Sequence, residues 1–525
     1  MLPSFAGLQV QPSPALPRGW RAYNIAIASV AQGIDSPRPI AEKGRREAGA
    51  AIIRMYFLYS ILTVVVTLIL APYFLVQSLR GKNYLRNLPE RLGLKFPPRL
   101  AATDNSAPGA IWIHSVSVGE TLAAVPLARA LKERYPERRL VISTTTATGQ
   151  ALARERMQFA DAVFYFPLDL RGPVRRALAA VRPCLVVIFE TEIWPNFLRE
   201  ARRDGVPVVF VNGRISQRSF RRFSKALWMS AGMLRGFLRR VLSDARLYLM
   251  QDAADAQRLL SLGAPADRVA VIGNLKYDWT PPAGSPLVTW LEGEMARSHK
   301  GPLLVAGSVI AGEEPAVLEG FGAVARIWPR ALLVLAPRKP ERFAAAAALV
   351  QESGLRLVKR SSLPFNGASS NAASASGDVS GKAFDDSVRG HLACAPGERS
   401  VLLLDSIGEL ASVYQLADAV FVGGSLEPAG GHNPLEPATF GKVPVFGASM
   451  ENFREIAATL IDAGAAVEVR SGKELGAAWT SLLGDDERRS SMGQAAREIV
   501  TRNRGATAAA LERLAPLLTA PREPQ

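Results

Sequence analysis

AIWIHSVSVGETLAAVPLARALKERY, residues Ala110–Tyr135, is the clearest strand–turn–helix unit in the chain. Its first part, Ala110–Val116, is an apolar run rich in β-branched residues, which is typical of a buried strand. Gly119 then turns the chain into a stretch with the apolar spacing of a helix. Units of this kind build parallel α/β sheets.

Similar apolar runs recur along the chain, separated by helical stretches. They are residues 140–146, 162–168, 184–190, 206–214, 302–309, 331–338, 400–405, 419–425 and 443–448. This alternation predicts an α/β fold with two doubly wound, Rossmann-like domains. A ligand would bind in a cleft that both domains face, outside the carboxyl ends of the strands.

The predicted domain boundaries follow changes in composition. Residues 81–276 form the first domain, and residues 277–284, YDWTPPAG, have the prolines of a hinge. Residues 285–515 form the second domain, and residues 516–525 are a tail. Within the second domain, the Ser/Ala/Gly-rich stretch 365–400 reads as a flexible surface insertion.

The N-terminal region contains a long uncharged stretch. Tyr56–Leu79 is 24 residues without a charge, and about 20 helical residues span a bilayer. We expect residues 55–80 to be a membrane anchor; a buried core helix is the alternative. The basic cluster RGKNYLRNLPER that follows favours a cytoplasmic location for the rest of the chain. Residues 1–54 are expected to be a disordered leader, or a product of start-codon choice with the true start at Met55.

Composition limits the possible partners. The formal charge of +16, from 63 Lys and Arg against 47 Asp and Glu, favours anionic partners. Aromatic residues are 7% of the chain and do not alternate with basic ones, which argues against nucleic acid. The two cysteines and four histidines have no metal-ligand spacing. We predict no bound metal and no cofactor.

The first candidate for chemistry is Glu120, in IHSVSVGE. It lies where the strand Ala110–Val116 gives way to a helix, so it is expected at the edge that holds the ligand. A carboxylate there suits a general base. The alternative is that Glu120 only complements the helix dipole.

A second group follows the buried run 184–190. FETEIWPNF places Glu190 and Glu192 at the carboxyl end of that strand. Two acids beside a cleft suggest a functional pair, but surface carboxylates or salt-bridge partners would have the same spacing.

The third group is GGSLEPAGGHNPLEPATF, residues 423–440, a glycine-rich loop leading into a helix. Asn433 as N-cap, Pro434 as first helical residue and Glu436 form a strong helix-start signal. Such an N-terminus attracts phosphate. Glu436 would either accept ribose hydroxyls or complete a capping box.

Three more loops belong to the same edge of the second sheet. Gly307 and Ser308 follow one strand, Pro337 and Arg338 follow another, and the loop 406–409 follows a third. Arg338 is suited to phosphate, although a basic residue there is often merely solvated. Backbone groups of the loop 406–409 would cover a nucleobase. GxGxxG after the first strand and GxxxxGK[ST] are absent, which disfavours dehydrogenases and P-loop enzymes.

Taken together, these motifs resemble the transferases of 3-deoxy-D-manno-octulosonic acid (Kdo) over about residues 55–515. The matching motifs are HSVSVGE, FETEIWPNF, NGRIS, GNLKYD, APRKPERF, GGSLEPAGGHNPLEPA and the NF.EI element Asn452–Ile456. The resemblance implies an inner-membrane enzyme of Gram-negative bacteria with the GT-B fold. It also implies transfer of Kdo from CMP-Kdo to the lipid A precursor, lipid IVA, with inversion and without a metal.

The resemblance assigns roles to individual residues. Glu120 matches the catalytic base, while Lys276 and an acid of FETE, either Glu190 or Glu192, match positions that stabilise the transition state. The CMP-contacting positions are Pro337, Arg338, Ile407, Gly408, Glu409, Asn433, Pro434, Leu435 and Glu436. The alternative function is that of a GT-B transferase or epimerase acting on another nucleotide sugar.

Overall fold

The computed structural model describes residues 54–69, 72, 87–101, 109–229, 233–281, 284–299, 301–363 and 399–519, and all structural statements below refer to these. They form two compact units. One extends to Asp278 and resumes at Asn503, and the other is Trp279–Arg502. The boundary at Asp278 lies within the predicted hinge 277–284.

The first unit contains a seven-stranded parallel sheet in the order β3-β2-β1-β4-β5-β6-β7. Its strands are β1 Ala110–Ser115, β2 Leu140–Thr144, β3 Ala162–Tyr165, β4 Pro183–Phe189, β5 Val208–Gly213, β6 Leu247–Met250 and β7 Val269–Val271. Its helices are α1 (54–69), α2 Leu88–Arg91, α3 Pro98–Ala101, α4 Val118–Arg134, α5 Ala147–Arg156, α6 Arg171–Val181, α7 Pro195–Arg203, α8 Gln217–Met229, α9 Met233–Leu242 and α10 Ala253–Ser261.

The second unit contains another seven-stranded parallel sheet, in the order β10-β11-β9-β8-β12-β13-β14. Its strands are β8 Leu303–Val309, β9 Leu332–Pro337, β10 Arg356–Lys359, β11 Ser400–Leu403, β12 Ala419–Val422, β13 Val445–Gly447 and β14 Val467–Val469. Its helices are α11 Pro286–Ser298, α12 Glu314–Ile327, α13 Phe343–Glu352, α14 Leu410–Val413, α15 Leu435–Thr439, α16 Arg454–Asp462, α17 Gly472–Gly484 and α18 Asp486–Asn503.

Burial on both faces explains the composition of the central strands. Strand β4 is apolar along its length because helices cover both faces of its sheet, and Val186 and Val187 belong to different cores on the two faces. The prediction of two parallel α/β domains is therefore confirmed. The structure adds four short strands, β6, β7, β10 and β14, to the ten predicted runs.

The last helix, α19 Ala506–Thr519, belongs to the first unit, whereas the predicted boundaries placed residues up to 515 in the second domain. Ala510, Leu514 and Leu518 are buried in the same core as Leu127 of α4. The Asp278 carboxylate accepts a 2.6 Å hydrogen bond from Gly505 N and another from Thr507 N. These contacts correct the predicted division at this point.

The predicted membrane anchor is only partly within the described residues. Residues 54–69 are helical, and the rest of the predicted stretch, apart from residue 72, lies outside the described range. Within that range, no helix has both the length and the apolarity needed to cross a bilayer. The predicted leader up to residue 53, most of the predicted insertion 365–400 and the end of the predicted tail also lie outside the described residues.

Candidate active site

In each sheet the strand order reverses next to the first strand of the unit. In the first unit the reversal lies between β1 and β4, where ligands of doubly wound sheets bind. Glu120 follows β1, and Glu190 and Glu192 follow β4. Strand pairing therefore places the two predicted acidic groups at one edge.

Glu120 is held by the turn that starts α4. Ser117 is the N-cap of the helix, and its hydroxyl donates to Glu120 Oε1 over 2.8 Å. The backbone N–H of Val116 donates to Oε2 over 2.7 Å. The carboxylate therefore turns back over its own helix start as in a capping box, with only 6% of the residue exposed.

This setting changes the acidity of Glu120. Burial raises the pKa of the Glu120 carboxyl to about 7, and the neighbouring Glu190 charge adds to the effect. The hydrogen bonds from Val116 and Ser117 act in the opposite direction. Glu192 raises the same pKa by a smaller amount, so the structure brings all three predicted acids together. A carboxyl with a pKa near neutrality is suited to general base catalysis.

The loop after β4 is strained. Glu190 has a φ of 56°, a left-handed conformation that is costly for a residue with a side chain, and its N–H donates to Val211 O over 2.9 Å. Thr191 fastens the loop to the end of β5 through a 2.6 Å hydrogen bond to Arg214 O. Burial, followed by the charge of Glu190, raises the pKa of Glu192. Strain at such a position is typical of a functional loop.

Lys276 lies on the 3-10 turn Leu275–Asp278, which packs against α4. Asn212 Oδ1 accepts from Leu275 N over 3.0 Å, and Asn274 Oδ1 accepts from Lys276 N over 3.0 Å. Asn212 itself has a φ of 59° at the end of β5. These two amides fix the turn, and therefore the base of the lysine side chain.

His114 of the HSVSVGE motif is a core residue. Its ring stacks on Phe166 with centroids 3.8 Å apart, and Nδ1 lies 3.1 Å from Ser143 O. Burial lowers the pKa of His114 to about 3, so the ring is neutral at physiological pH. His114 is therefore a neutral packing residue of the core.

In the second unit the strand order reverses between β8 and β12. Ser308, at the end of β8, has a φ of 56°. Gly307 beside it allows the Tyr414 hydroxyl to approach, because a Cβ at this glycine would lie 1.9 Å from that oxygen. The predicted Gly307–Ser308 loop is thus a second strained strand end.

Arg338 and His432 lie near one another at this edge. Arg338 follows β9, where its N–H donates to Val309 O over 2.8 Å, and Pro337 ends that strand in a buried position. Burial, with the Arg338 charge as a second cause, lowers the pKa of His432 to about 4. No described residue hydrogen-bonds to His432 Nε2. The sequence reasoning did not single out His432, although the GGHN motif contains it.

The glycine-rich loop is held in place by the segment Ser449–Asn452. Gly430 N donates to Ser449 Oγ over 3.0 Å, and Asn452 N of the NF.EI element donates to Gly430 O over 2.9 Å. A Cβ at Gly431, whose φ is 73°, would meet Met450 Sδ at 2.3 Å. Glycine is therefore required there for the loop to lie close to its support.

The helix after this loop begins slightly later than predicted. It runs Leu435–Thr439 with Pro434 before it, rather than starting at Pro434. Asn433 still caps the start, because its Oδ1 accepts from Leu435 N over 3.1 Å. Glu436, in the first turn, lies close enough to Tyr414 to raise the pKa of that buried hydroxyl, after burial itself.

The loop after β11 presents backbone rather than charge. Ile407 is 50% exposed and Gly408 has a φ of 99°. The Glu409 carboxylate is engaged by Arg360, with Nε 2.9 Å from Oε2 and Nη2 2.9 Å from Oε1. Any contact of this loop with a ligand would therefore come from main-chain groups and Ile407.

One buried carboxylate was missed by the sequence reasoning. Glu313 is fully buried and accepts hydrogen bonds from Gly424 N at 2.7 Å, Ser425 N at 2.8 Å and Leu426 N at 2.9 Å. It fixes the strand end from which the glycine-rich loop starts. The acid doublet in AGEEP was the available signal, but its partner lies more than a hundred residues further along the chain.

In the part of the chain that the structure describes, no three or more His, Cys, Asp or Glu side chains are grouped to hold a metal ion.

The two parallel Rossmann-like units, each with charged or strained residues at the strand reversal, are of the kind that GT-B glycosyltransferases contain. Residues 86–279 match the family model for 3-deoxy-D-manno-octulosonic-acid transferase (kdotransferase). The chain is 33% identical over 473 residues to the 3-deoxy-D-manno-octulosonic acid transferase of Haemophilus influenzae, covering 88% of this chain and 98% of that enzyme. The enzyme of the same name from Bordetella pertussis is 33% identical over 439 residues, covering 81% and 89%.

The chain therefore belongs to the 3-deoxy-D-manno-octulosonic acid transferase family and is a glycosyltransferase. This confirms the resemblance found in the sequence. Among solved structures, it is also similar to the C-terminal CMP-Kdo binding domain of WaaA from Acinetobacter baumannii, at 24% identity and a TM-score of 0.33, covering 41% of this chain and 97% of that one. The family assignment rests on the two enzymes.

Proposed function

We propose that this glycosyltransferase transfers Kdo from CMP-Kdo to the lipid A precursor, lipid IVA, in lipopolysaccharide biosynthesis. Family membership supports the sugar and the reaction class. The observation that carries the mechanism is the buried Glu120, whose pKa of about 7 reflects burial and the adjacent Glu190.

Glu120 is the general base of this mechanism. In its ionised form it removes the proton from the acceptor hydroxyl as that oxygen attacks the sugar. Burial beside other acids raises its affinity for the proton, so the carboxylate is a stronger base than an exposed glutamate; with a pKa of about 7 it is about half ionised at neutral pH and mostly ionised above it. Ser117 and Val116 aim it through two hydrogen bonds.

The second unit binds the CMP part of the donor. Arg338 pairs with the phosphate, and the glycine-rich loop allows close approach of backbone N–H groups. Main-chain groups of the loop 406–409 cover the base. Asn433, Pro434, Leu435 and Glu436 complete the contacts to phosphate and ribose.

The charges that develop on the sugar and the phosphate during transfer determine the roles of Arg338, Lys276 and the acids of FETE. As CMP leaves, the anomeric carbon becomes cationic and the phosphate gains negative charge, so Arg338 and Lys276 stabilise the departing group. Glu190 or Glu192 stabilises the cationic sugar. A single displacement with inversion follows, without a metal and without a covalent intermediate.

The enzyme works at the inner membrane with its catalytic units in the cytoplasm. Helix α1 supports this part of the proposal through its exposed apolar side chains, among them Phe57 at 66%, Leu68 at 66% and Ile69 at 70% exposed. The uncharged sequence Tyr56–Leu79 is long enough for a single-pass anchor. The basic surface favours an anionic lipid and a phosphorylated acceptor.

The test uses purified protein, CMP-Kdo generated in situ and lipid IVA in detergent, with products counted by mass. We expect Kdo-containing products from the wild type and none from Glu120→Ala, while CMP still raises the melting temperature of both proteins. Substantial transfer by Glu120→Ala would refute the assignment of the base. Thermal stabilisation by UDP rather than CMP would indicate an enzyme for another nucleotide sugar.

A further inference from the structure

The first turns of α1 are built into the first unit. Tyr56 is 2% exposed and packs edge-on against Phe237, with ring centroids 5.0 Å apart. Its hydroxyl donates to Asp244 Oδ2 over 2.8 Å. By contrast, Leu62 is 60% exposed. Only the start of the helix is therefore part of the folded unit.

A second tyrosine connects α1 to a buried carboxylate. Tyr59 donates to Asp169 Oδ2 over 2.8 Å, and Asp169 is only 3% exposed. Ser60 Oγ lies 3.1 Å from Nδ2 of Asn196, which in turn donates to Asp169 O over 2.7 Å. Tyr59 and Ser60 therefore join one network with Asp169 and Asn196.

That network caps α7. Asp169 Oδ1 accepts from Phe197 N over 2.7 Å, and Oδ2 accepts from Asn196 N over 3.1 Å. The residue in the N-cap position, Trp194, makes no side-chain cap. Asp169, assisted by α1, thus satisfies the free N–H groups that a helix start leaves.

The start of α7 is continuous with the acidic loop. Glu190 and Glu192 lie within six residues of Asn196 in FETEIWPNF, so the helix start and the acidic loop belong to one short segment of the chain. Arg199, on the same helix, adds a further contact to α1, because its guanidinium carbon lies 4.3 Å from the centroid of the Tyr56 ring. Helix α1 and the Glu190–Glu192 loop therefore both connect to the start of α7.

We propose that Tyr59 and Ser60 are positioning residues, through which the anchor helix holds the Glu190–Glu192 loop in its catalytic geometry. This inference rests on the proposed function for its kinetic consequence. It assigns α1 a role within the active unit itself, separate from holding the enzyme at a membrane.

The test compares Tyr59→Phe with Tyr248→Phe in the full-length protein. Tyr248 is a matched control because its buried hydroxyl, in the same core, donates over 2.8 Å to Leu242 O, which belongs to neither α1 nor α7. Both variants lose one tyrosine hydrogen bond, so both should melt at lower temperature. Only Tyr59→Phe should alter the acidic loop.

Two readouts are combined. Hydrogen exchange of the peptide covering residues 189–197 should become about tenfold faster in Tyr59→Phe, as expected for losing a hydrogen bond to a charged group. With detergent-dispersed acceptor, its kcat should fall about tenfold while the KM for CMP-Kdo stays within about twofold. Tyr248→Phe should match the wild type in both.

Ser60→Ala, which removes a weaker contact, should change both quantities in the same direction and serves if Tyr59→Phe does not fold. Equal kcat in Tyr59→Phe and Tyr248→Phe would overturn the inference, as would unchanged exchange of residues 189–197. A wild type that transfers no Kdo would refute the proposed function. The exchange rates of residues 189–197 would still show whether Tyr59 holds the Glu190–Glu192 loop in place.

Discussion

The raised pKa of Glu120 predicts a pH-dependent cost to stability that Glu120→Gln should remove. The ordinary value of 4.5 applies to the unfolded chain, and burial raises the pKa in the folded protein to about 7. Between these values the folded protein retains a proton that the unfolded chain has released. The free energy of unfolding contributed by this group therefore falls as pH rises through this window.

The magnitude follows from the two pKa values. A difference of about 2.5 corresponds to about 3.4 kcal/mol, of which about 2.5 kcal/mol is lost between pH 5 and pH 8. Glu120→Gln does not titrate, so its unfolding free energy relative to wild type should rise by about 2.5 kcal/mol over that interval. Comparing the two pH values cancels the constant effect of the altered hydrogen bonds to Ser117 and Val116.

The measurement is urea unfolding of both proteins at pH 5 and pH 8. Glu133→Gln, an exposed position on the same helix, is the matched control and should show no such change. A relative change below about 0.5 kcal/mol for Glu120→Gln would show that Glu120 titrates normally. That result would refute a near-neutral pKa for Glu120.

Three further substitutions test Glu190 in the first unit and Gly431 and Glu313 in the second. Glu190→Gln removes a charge that raises the pKa of Glu120. In a pH–rate profile of the remaining transfer activity, the acid limb should therefore move to lower pH. An unmoved acid limb would contradict this. Gly431→Ala should abolish thermal stabilisation by CMP, because its Cβ would meet Ser449 O at 2.9 Å. The control is Gly464→Ala, at a φ of 64° with nothing within 4 Å of the added Cβ. It should lower the free energy of unfolding by only about 1 kcal/mol and keep CMP binding. Glu313→Gln should lower the unfolding free energy by about 3 kcal/mol in urea melts, and a loss under about 1 kcal/mol would show that the Gly424–Leu426 amides find other partners.

The sequence was sufficient to predict the strands at the centre of each sheet. Residues 184–189, for example, are continuously apolar because both faces of that strand are buried. The strands Val269–Val271 and Val467–Val469 are only three residues long, so periodicity had too little to act on. The last helix was assigned to the wrong unit because an apolar face does not specify which core it covers.

The candidate site likewise contains features that the sequence predicts and features that it does not. Glu120 and the two acids of FETE were predictable because strand ends of a parallel sheet meet at one edge, and Glu120 does lie near them. The return of the Glu120 carboxylate to Val116 N is a local contact that depends on how the turn closes, whereas the contact of Glu313 with Gly424 N joins distant parts of the chain. Contacts between residues over a hundred positions apart leave no local pattern.

Ala506–Thr519 belongs to the first unit, yet it is synthesised after the whole of the second. During translation, the ribosome completes all of Trp279–Arg502 before the helix that covers Leu127 and its neighbours emerges. Until then the nascent first unit exposes an apolar groove on α4. We therefore expect ribosome-bound chains that stop before Ala506 to bind chaperones through this groove, and to release them once Thr519 has left the exit tunnel.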